Sequence, residues 1–183
     1  MSFAASPIRR LLLDLTAALD DRAIGYALIG GLALGPRGFP RGTIDVDFLV
    51  DEAMVPRLRA LMRERSAQII VEGDEFSSYV DGNIRADFQH ARRPASREML
   101  ARADRVDFDG NSITVIQAED LIGLKVQAYH NNPKRLQDRL DIQAVINANW
   151  GKLDLVRVRA HFALFDREKD LDDILRLVSE NHG

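Results

Sequence analysis

The sequence predicts an α/β or α+β core followed by a C-terminal helical region. Strand and helix patterns interleave over the first two thirds of the 183 residues, and strand patterns cease from Ala118 onward. Two turn sequences, Asp81-Gly82-Asn83 and Asp109-Gly110-Asn111, each separate a pair of strand-like segments and predict β-hairpins. We therefore expect residues 1–116 to form the core and residues 117–183 to form a helical region that packs with it as one unit.

The first elements follow from proline, glycine and apolar spacing. Ser6-Pro7 predicts a helix start, because proline suits the first helical position, and apolar residues then repeat at helical spacing. Residues 26–29 are apolar and predict a short buried strand that runs into Gly30-Gly31. A helix is expected to begin at residues 32–34 and to break at Gly35-Pro36.

The remaining elements are predicted from the same signals. Residues 43–50 favour a strand, and residues 55–65 show the spacing of an amphipathic helix. Further predicted elements are hairpin strands at 76–80, 84–88, 105–108 and 112–116, a helix at 96–103, and C-terminal helices at 121–129, 136–148, 153–165 and 171–178.

Composition excludes several classes of protein. The chain is 46% hydrophobic and 29% charged, as expected of a globular domain, and its net charge of −3 gives no overall attraction to nucleic acid. It contains no cysteine, which excludes disulfides, thiolate metal sites and cysteine nucleophiles. The first ten residues lack the order of a signal peptide, and no apolar run is long enough to cross a bilayer. We expect a cytoplasmic protein with no membrane partner.

Two aspartates on the predicted strand 43–50 carry the clearest chemical signal. Asp45 and Asp47 are two residues apart, so their side chains leave the same face of an extended strand. Carboxylates that converge repel each other unless a cation lies between them or one is protonated. Mg²⁺ suits such a site because it binds hard oxygen ligands together with substrate phosphates. The preceding Gly30-Gly31 suits a backbone that comes close to a ligand.

Asp87 is the third carboxylate of interest and lies on the strand after the first hairpin turn. If that strand pairs beside residues 43–50, Asp87 joins Asp45 and Asp47 on one sheet face. Three carboxylates can hold two cations, one that orients a triphosphate and one that activates an attacking hydroxyl. Asp87 would then be both a ligand and a candidate general base.

Several ordered motifs resemble the nucleotidyltransferase superfamily, whose fold is that of DNA polymerase beta. The matching segments are Gly30-Gly31-Leu32-Ala33-Leu34, Gly38, residues 41–50 with Asp45-Val46-Asp47, and Arg85-Ala86-Asp87-Phe88. The bacterial branch with abortive-infection toxin-like nucleotidyltransferases is more similar still, since it carries a lysine on a following helix and an Arg/Lys-Asp-x-x-Asp helix. Residues 119–128 with Lys125, and residues 135–142 with Asp138 and Asp141, are similar to these two features. That branch often has Gly-Ser in place of Gly30-Gly31 and lysine in place of Arg85.

The resemblance spans roughly residues 25–146 and implies a fold, an activity and a set of residues. The implied fold is a mixed sheet flanked by helices. The implied reaction moves a nucleoside monophosphate from an NTP to an acceptor hydroxyl, with release of pyrophosphate and a requirement for Mg²⁺ or, alternatively, Mn²⁺. The implied metal ligands are Asp45, Asp47 and Asp87, which together with Lys125 are the implied catalytic residues. The implied nucleotide-binding residues are Gly30, Gly31, Arg41, Thr43, Arg85, Asp138 and Asp141.

The resemblance also suggests how some of these residues act. Gly30 and Gly31 would contact phosphate at a helix start, where free N–H groups favour anions. Lys125 would face the triphosphate, and Asp138 or Asp141 would orient that lysine or the acceptor. The acceptor stays open among RNA, a small molecule and a protein. Two other functions also stay open: a toxin–antitoxin or interaction module acting through an antitoxin or helical partner, and a non-catalytic nucleotide-binding protein. A homodimer is a further alternative.

Each motif also has a structural interpretation. Asp-x-Asp is often a solvated strand end and Gly-Gly is often a turn, but their order with Asp87 and Lys125 favours a site. Asp138 and Asp141 fit helix ion pairs with neighbouring arginines equally well. A local basic segment fits a solvated helix face as well as a phosphate-binding patch. Its members are Arg92, Arg93, Arg97, Arg102 and Arg105.

Overall fold

The computed structural model describes residues 6–182, which form two compact units. The first unit contains the residues up to Ala33 together with Arg41–Ile116, and the second contains Leu34–Pro40 together with the residues from Gln117 onward. Residues 1–5 lie outside the described residues. They are half of the ten-residue segment from which we expected no signal peptide. The expectation that residues 1–116 and 117–183 pack as one unit stays a prediction.

The first unit is built on a seven-stranded mixed sheet, in agreement with the predicted α+β class. The strands are β1 (Tyr26–Ile29), β2 (Asp45–Asp51), β3 (Gln68–Glu72), β4 (Phe76–Asp81), β5 (Ile84–Ala91), β6 (Asp104–Phe108) and β7 (Asn111–Val115). Their order across the sheet is β3-β4-β5-β2-β1-β7-β6. The pairs β2–β5 and β1–β7 are parallel, and the other neighbours are antiparallel.

Three helices accompany this sheet: α1 (Pro7–Asp21), α2 (Val55–Glu64) and α3 (Pro94–Ala101). As predicted, α1 begins with proline at its first turn, and it buries a stripe of leucines at helical spacing. The aromatic rings of the central strands lie on the face opposite the aspartates. Phe48 and Phe88 stack there with ring centroids 5.3 Å apart, and Tyr26 and Tyr79 pack edge-on against them. This apolar face anchors β2 and β5, the strands that carry the acidic residues.

Both predicted hairpins are present, and each has a two-residue turn. Asp81 pairs with Ile84 across Gly82-Asn83, with Gly82 at a φ of +63° in the first turn position, where a type II′ turn favours glycine. Phe108 pairs with Asn111 across Asp109-Gly110, where both φ values are positive, as in a type I′ turn. The turn sequences were therefore predicted correctly, but each turn is one residue shorter than the three residues that marked it.

Three features of the first unit differ in detail from what the sequence predicted. The helix expected after Gly30-Gly31 is a single 3₁₀ turn, Leu32–Leu34, because Gly35-Pro36 stops it at once. The strand expected from residue 43 begins at Asp45, so Thr43 precedes it in the loop. Strand β3 was not predicted, because Ile69, Ile70 and Val71 are all exposed and show no alternation between a buried and a solvated face.

The second unit contains the four predicted C-terminal helices. They are α4 (Ala118–Asn131), α5 (Leu136–Ala148), α6 (Leu155–Ala163) and α7 (Glu168–Glu180). Asp154 caps α6 by accepting hydrogen bonds from the backbone N–H groups of Val156 and Arg157, and Glu119 in turn accepts one from the N–H of Asp154. Among the described residues, none of the helices has both the length and the apolar character needed to cross a membrane.

Candidate active site

The register of three neighbouring strands brings Asp45, Asp47 and Asp87 together. Strand β2 is antiparallel to β1 and parallel to β5, so Asp47 lies opposite Ile29 on one side and Asp87 on the other. Asp45 is two residues before Asp47 and leaves the same face. One carboxylate oxygen from each aspartate lies within 4.8 Å of the other two. The predicted pairing of the two acidic strands is therefore confirmed, and we call Asp45, Asp47 and Asp87 the acidic triad.

The chemistry of the acidic triad fits a divalent cation. All three donors are hard carboxylate oxygens, and oxygens this close repel unless a cation offsets their charge. Asp87 is buried, whereas Asp45 and Asp47 are half-buried and so keep access to a ligand from solvent. Within residues 6–182, no other group of three acidic or histidine side chains converges in this way.

Gly30 leaves room for the carboxylate of Asp47. Its φ of +65° lies in the left-handed region, which glycine adopts without steric cost. A Cβ at this position would overlap the carboxylate group of Asp47. Glycine is therefore required where the backbone after β1 passes the acidic triad. A contact between Gly30 and a nucleotide phosphate stays a prediction, and the single 3₁₀ turn at Leu32–Leu34 removes the helix start on which that argument relied.

Gly31 leaves similar room for Thr43. A Cβ on Gly31 would lie 2.9 Å from both the Cβ and the Oγ1 of Thr43. The Thr43 hydroxyl donates a hydrogen bond of 2.6 Å to Oδ1 of Asp45. Gly30 thus leaves space for Asp47, and Gly31 leaves space for Thr43, which is the hydrogen-bond partner of Asp45. Thr43, predicted to bind nucleotide, is placed as a partner of Asp45.

Asp87 is held by two side chains, Arg85 and Ser78. Nε of Arg85 donates to both carboxylate oxygens at 2.8 Å, and its Nη2 also bonds Oδ2. These hydrogen bonds, together with the negative charges of Asp87, Asp45 and Asp47, raise the pKa of the Arg85 guanidinium above its usual value. The Ser78 hydroxyl donates to Oδ1 of Asp87 at 2.5 Å from a buried position on β4. Arg85 itself is half exposed, so it can leave Asp87 without crossing the core.

Ser78 is a site residue that the sequence analysis missed. Serine in a strand carries no metal or nucleotide signal of its own. The signal that could have identified it is its position opposite Asp87 in the β4–β5 hairpin, which depends on the length of the turn.

The second unit contains a separate acid–base group around Lys125, which we call the Lys125 cluster (Lys125, Arg135, Gln137, Asp138 and Asp141). Nζ of Lys125 donates to Oδ2 of Asp141 at 2.5 Å and to Oδ1 of Asp138 at 3.2 Å, and all three residues are buried. Arg135 bonds the other oxygen of Asp138, and Gln137 the other oxygen of Asp141. Both aspartates therefore bind the lysine, and the roles of these residues toward a nucleotide stay predictions.

The other predicted cationic positions have partners within the protein. Arg41 donates to the carbonyl oxygen of Gly42, and its contact with a nucleotide stays a prediction. The basic segment pairs with acidic side chains as follows: Arg92 and Arg97 with Glu52, Arg93 with Glu75, Arg102 with Glu98, and Arg105 with Asp20. This pairing favours a solvated, ion-paired surface over a phosphate-binding patch.

Comparisons with known proteins agree with this arrangement. Residues 94–179, just under half of the chain, match the family described as nucleotidyl transferase of unknown function (DUF2204). The solution structure of the antibiotic-resistance factor ANT(2″)-Ia is similar with a TM-score of 0.68 at 16% identity, covering 95% of this chain and 97% of that chain. An antigenic nucleotidyltransferase-like protein from Paracoccidioides brasiliensis gives 0.62 at 17% identity, with 94% and 93% coverage. A comparison with curated proteins found no match.

The matched segment thus resembles a nucleotidyl transferase family, and the fold of the chain is that of solved nucleotidyltransferase structures. The predicted superfamily and the predicted transferase class are confirmed, whereas membership of the abortive-infection branch stays a prediction. A third nucleotidyltransferase structure, lincomycin-bound LnuA, a lincosamide antibiotic adenylyltransferase, is similar with a TM-score of 0.58 at 12% identity, covering 74% of this chain and 94% of that chain. The acidic triad lies outside the segment matched by the family, while Lys125, Asp138 and Asp141 lie inside it.

Proposed function

We propose that the protein transfers a nucleoside monophosphate from an NTP to an acceptor hydroxyl at the acidic triad. The observation that supports this most strongly is the convergence of three carboxylate oxygens within 4.8 Å on adjacent parallel strands. Asp45, Asp47 and Asp87 hold Mg²⁺, with Mn²⁺ as a substitute. When bound, the cation offsets the negative charge of the phosphates and favours ionisation of the attacking hydroxyl.

Asp87 is the residue proposed to take the proton. The acceptor oxygen forms a bond to the α-phosphorus, the bond from that phosphorus to the bridging oxygen of the β-phosphate breaks, and pyrophosphate leaves. The hydroxyl proton goes to a carboxylate oxygen of Asp87. Because Arg85 contacts both of those oxygens, it must release one before that oxygen can serve. The half-exposed guanidinium then becomes available to a phosphate.

Gly30 and Gly31 are retained as proposed contacts of a phosphate. They lie beside Asp47 and Thr43, whose side chains fill the space that a Cβ on either glycine would need. Lys125 is retained as a proposed contact of the triphosphate. Its ammonium already bonds Asp138 and Asp141, so those carboxylates fix where its charge lies.

The proposed acceptor is the hydroxyl of a small polar molecule. Support for this comes from two similar structures that contain small antibiotic compounds: ANT(2″)-Ia in complex with adenylyl-2″-tobramycin, and LnuA with lincomycin bound. In both comparisons the similarity covers more than nine tenths of the other chain. The acceptor test therefore spans several chemical classes.

A label-transfer assay tests the proposal. Each of the four NTPs, labelled on the α-phosphate, would be incubated with Mg²⁺ and a panel of aminoglycosides, lincosamides, short RNAs and hydroxyl-bearing proteins. We expect label to move to at least one small-molecule hydroxyl with wild-type protein, and not with Asp45→Asn or with EDTA. Transfer to RNA or protein alone would overturn the acceptor class. Transfer by Asp45→Asn at the wild-type rate would overturn the site.

A further inference from the structure

We infer that Ser78 is a positioning residue that fixes the carboxylate of Asp87 for metal binding. This inference rests on the proposed function, because it concerns how the acidic triad is prepared for its cation. Ser78 stands directly opposite Asp87 in the β4–β5 register, and its hydroxyl donates to Oδ1 at 2.5 Å. Ser78 extends the site to a fourth strand, beyond the β1, β2 and β5 strands that carry or flank the triad.

The geometry limits Ser78 to this one task. A serine hydroxyl has a single proton, and here that proton is given to Oδ1 of Asp87. Ser78 is 2% exposed and Asp87 is 5% exposed, so water has little access to replace the bond. A carboxylate rotates about its Cβ–Cγ bond unless a neighbour holds one of its oxygens. With Oδ1 held by Ser78, Oδ2 keeps a fixed direction after Arg85 has moved away.

Arg85 cannot supply the same constraint. It bonds both oxygens of Asp87, so it competes for the lone pairs that a cation needs. Its side chain is half exposed and flexible, whereas Ser78 is buried and has a single rotatable heavy-atom torsion. Partners of metal ligands that orient them in this way usually change metal affinity or activity by about 10–100-fold when they are removed.

The chain offers a closely matched control in the adjacent residue. Ser77 is also buried, and its hydroxyl also bonds across the same two strands, at 3.0 Å from Nε2 of His90. Successive strand residues point to opposite faces, so Ser77 lies on the face of Phe88 and Ser78 on the face of Asp87. Replacing either serine by alanine removes one hydroxyl and one buried hydrogen bond from β4. Ser77→Ala therefore loses a hydrogen bond on the face of Phe88, whereas Ser78→Ala loses one on the face of Asp87.

Mn²⁺ binding tests the inference without need of an acceptor. The free Mn²⁺ signal in electron paramagnetic resonance would be titrated with wild type, Ser78→Ala, Ser78→Thr and Ser77→Ala, each in the presence of one of the four NTPs and against the same nucleotide without protein, because NTPs themselves bind Mn²⁺. We expect Ser78→Ala to weaken Mn²⁺ binding about tenfold or more, Ser78→Thr to restore most of it, and Ser77→Ala to leave it within about twofold of wild type. Both alanine variants should lower the melting temperature, since each loses a buried hydrogen bond.

The outcomes separate the two proposals. Wild-type protein that binds no Mn²⁺ with any NTP would overturn the proposed function, and the role of Ser78 with it. Wild-type protein that binds Mn²⁺ while Ser78→Ala binds it equally well would overturn the positioning role alone. Equal weakening by Ser77→Ala and Ser78→Ala would show that loss of β4 stability, and not the orientation of Asp87, causes the effect. If Ser78→Ala does not fold, the inference is judged on Ser78→Thr and Ser78→Cys: Cys binding Mn²⁺ as tightly as Thr would overturn it.

Discussion

The acidic triad of the first unit and the Lys125 cluster of the second contain the same kinds of side chain in opposite arrangements. In the Lys125 cluster, the ammonium of Lys125 bonds both Asp138 and Asp141, and every one of these three residues is buried. In the acidic triad, the carboxylate oxygens face one another within 4.8 Å, and Asp45 and Asp47 keep some exposure. The Lys125 cluster buries its own cation, whereas the guanidinium that bonds Asp87 in the acidic triad, that of Arg85, is half exposed.

Because of this difference, removing one charged side chain should affect the stability of the protein differently in the two groups. A buried ion pair has paid the cost of desolvation, so breaking it by removing one partner is destabilising. Converging carboxylates raise the free energy of the metal-free protein, so removing one of them relieves repulsion. The same aspartate-to-asparagine change is thus expected to have opposite effects on stability in the two places. Asp47→Asn and Lys125→Met test the difference between the two groups, and Gly30→Ala and Arg85→Gln test the surroundings of the acidic triad.

The largest effect is expected from Asp47→Asn in the acidic triad. Loss of one anionic ligand should lower metal-dependent nucleotidyl transfer by about three orders of magnitude or more, as for a strong single electrostatic stabiliser. The melting temperature should stay constant or rise, because one repulsive contact is removed. Transfer assays and calorimetric melting of the same preparation check both parts. A sharply lower melting temperature would show that Asp47 is structural.

Lys125→Met should destabilise the protein by about 3–5 kcal/mol, since it keeps the volume of the side chain but leaves Asp138 and Asp141 without their shared cation. Urea unfolding would measure the change, with Lys152→Met, an exposed lysine of the same unit, as the control. Lys125→Arg, which keeps the charge, should recover part of the loss. A cost below about 1 kcal/mol for Lys125→Met would contradict the description of the Lys125 cluster as a buried, internally balanced group.

Gly30→Ala is expected to combine two costs. A Cβ at a φ of +65° costs about 1–2 kcal/mol, and the overlap with Asp47 adds to it. Gly82→Ala is the matched control, because Gly82 has a φ of +63° and no heavy atom within 4 Å of the added Cβ. Gly30→Ala should therefore destabilise more than Gly82→Ala and also weaken Mn²⁺ binding. Equal effects of the two variants would show that the close approach of Gly30 to Asp47 is not needed for stability or for Mn²⁺ binding.

The smallest effect is expected from Arg85→Gln. Removing a guanidinium that competes for both oxygens of Asp87 should strengthen Mn²⁺ binding by roughly fourfold in the absence of nucleotide, which corresponds to about 0.8 kcal/mol and is typical of a partly exposed ion pair. NTP binding should weaken instead, because a cation near the phosphates is lost. Isothermal titration with Mn²⁺ and then with NTP would separate these effects. A change of the same sign in both titrations would exclude an exchange of Arg85 between Asp87 and phosphate.

The shared face of Asp45 and Asp47 was accessible from the sequence, because side chains two residues apart leave the same side of a strand. The hairpin turn predicted the strand of Asp87, whereas its place beside residues 43–50 was implied by the resemblance. Ser78 was not accessible, because its role depends on a turn length of two residues. Taking Asp81-Gly82-Asn83 as the whole turn pairs Val80 with Ile84, which places Ser77 opposite Asp87. An error of one residue in the β4–β5 register therefore places Ser77, which lies on the core face, where Ser78 belongs.

Two other features depend on tertiary context that no local pattern carries. Strand β3 pairs only with β4 at the edge of the sheet, so its apolar residues are not sorted between a buried and a solvated face. The bonds of Lys125 to Asp138 and Asp141 join two helices, α4 and α5, whose packing determines the distance. The spacing of Asp138 and Asp141 on one helix fitted ion pairs with neighbouring arginines equally well, and Arg135 does bond Asp138.

Calorimetric titration of wild-type protein with each NTP shows whether the acidic triad is a metal-dependent nucleotide site. The acidic triad repels the phosphates of an NTP unless a divalent cation lies between them, so binding must depend on the metal. With Mg²⁺ or Mn²⁺ present, we expect at least one NTP to bind about a hundredfold or more tightly than with EDTA, a difference of about 2.7 kcal/mol. Equal binding with and without metal, or no binding of any NTP, would contradict the assignment of Asp45, Asp47 and Asp87 as the site.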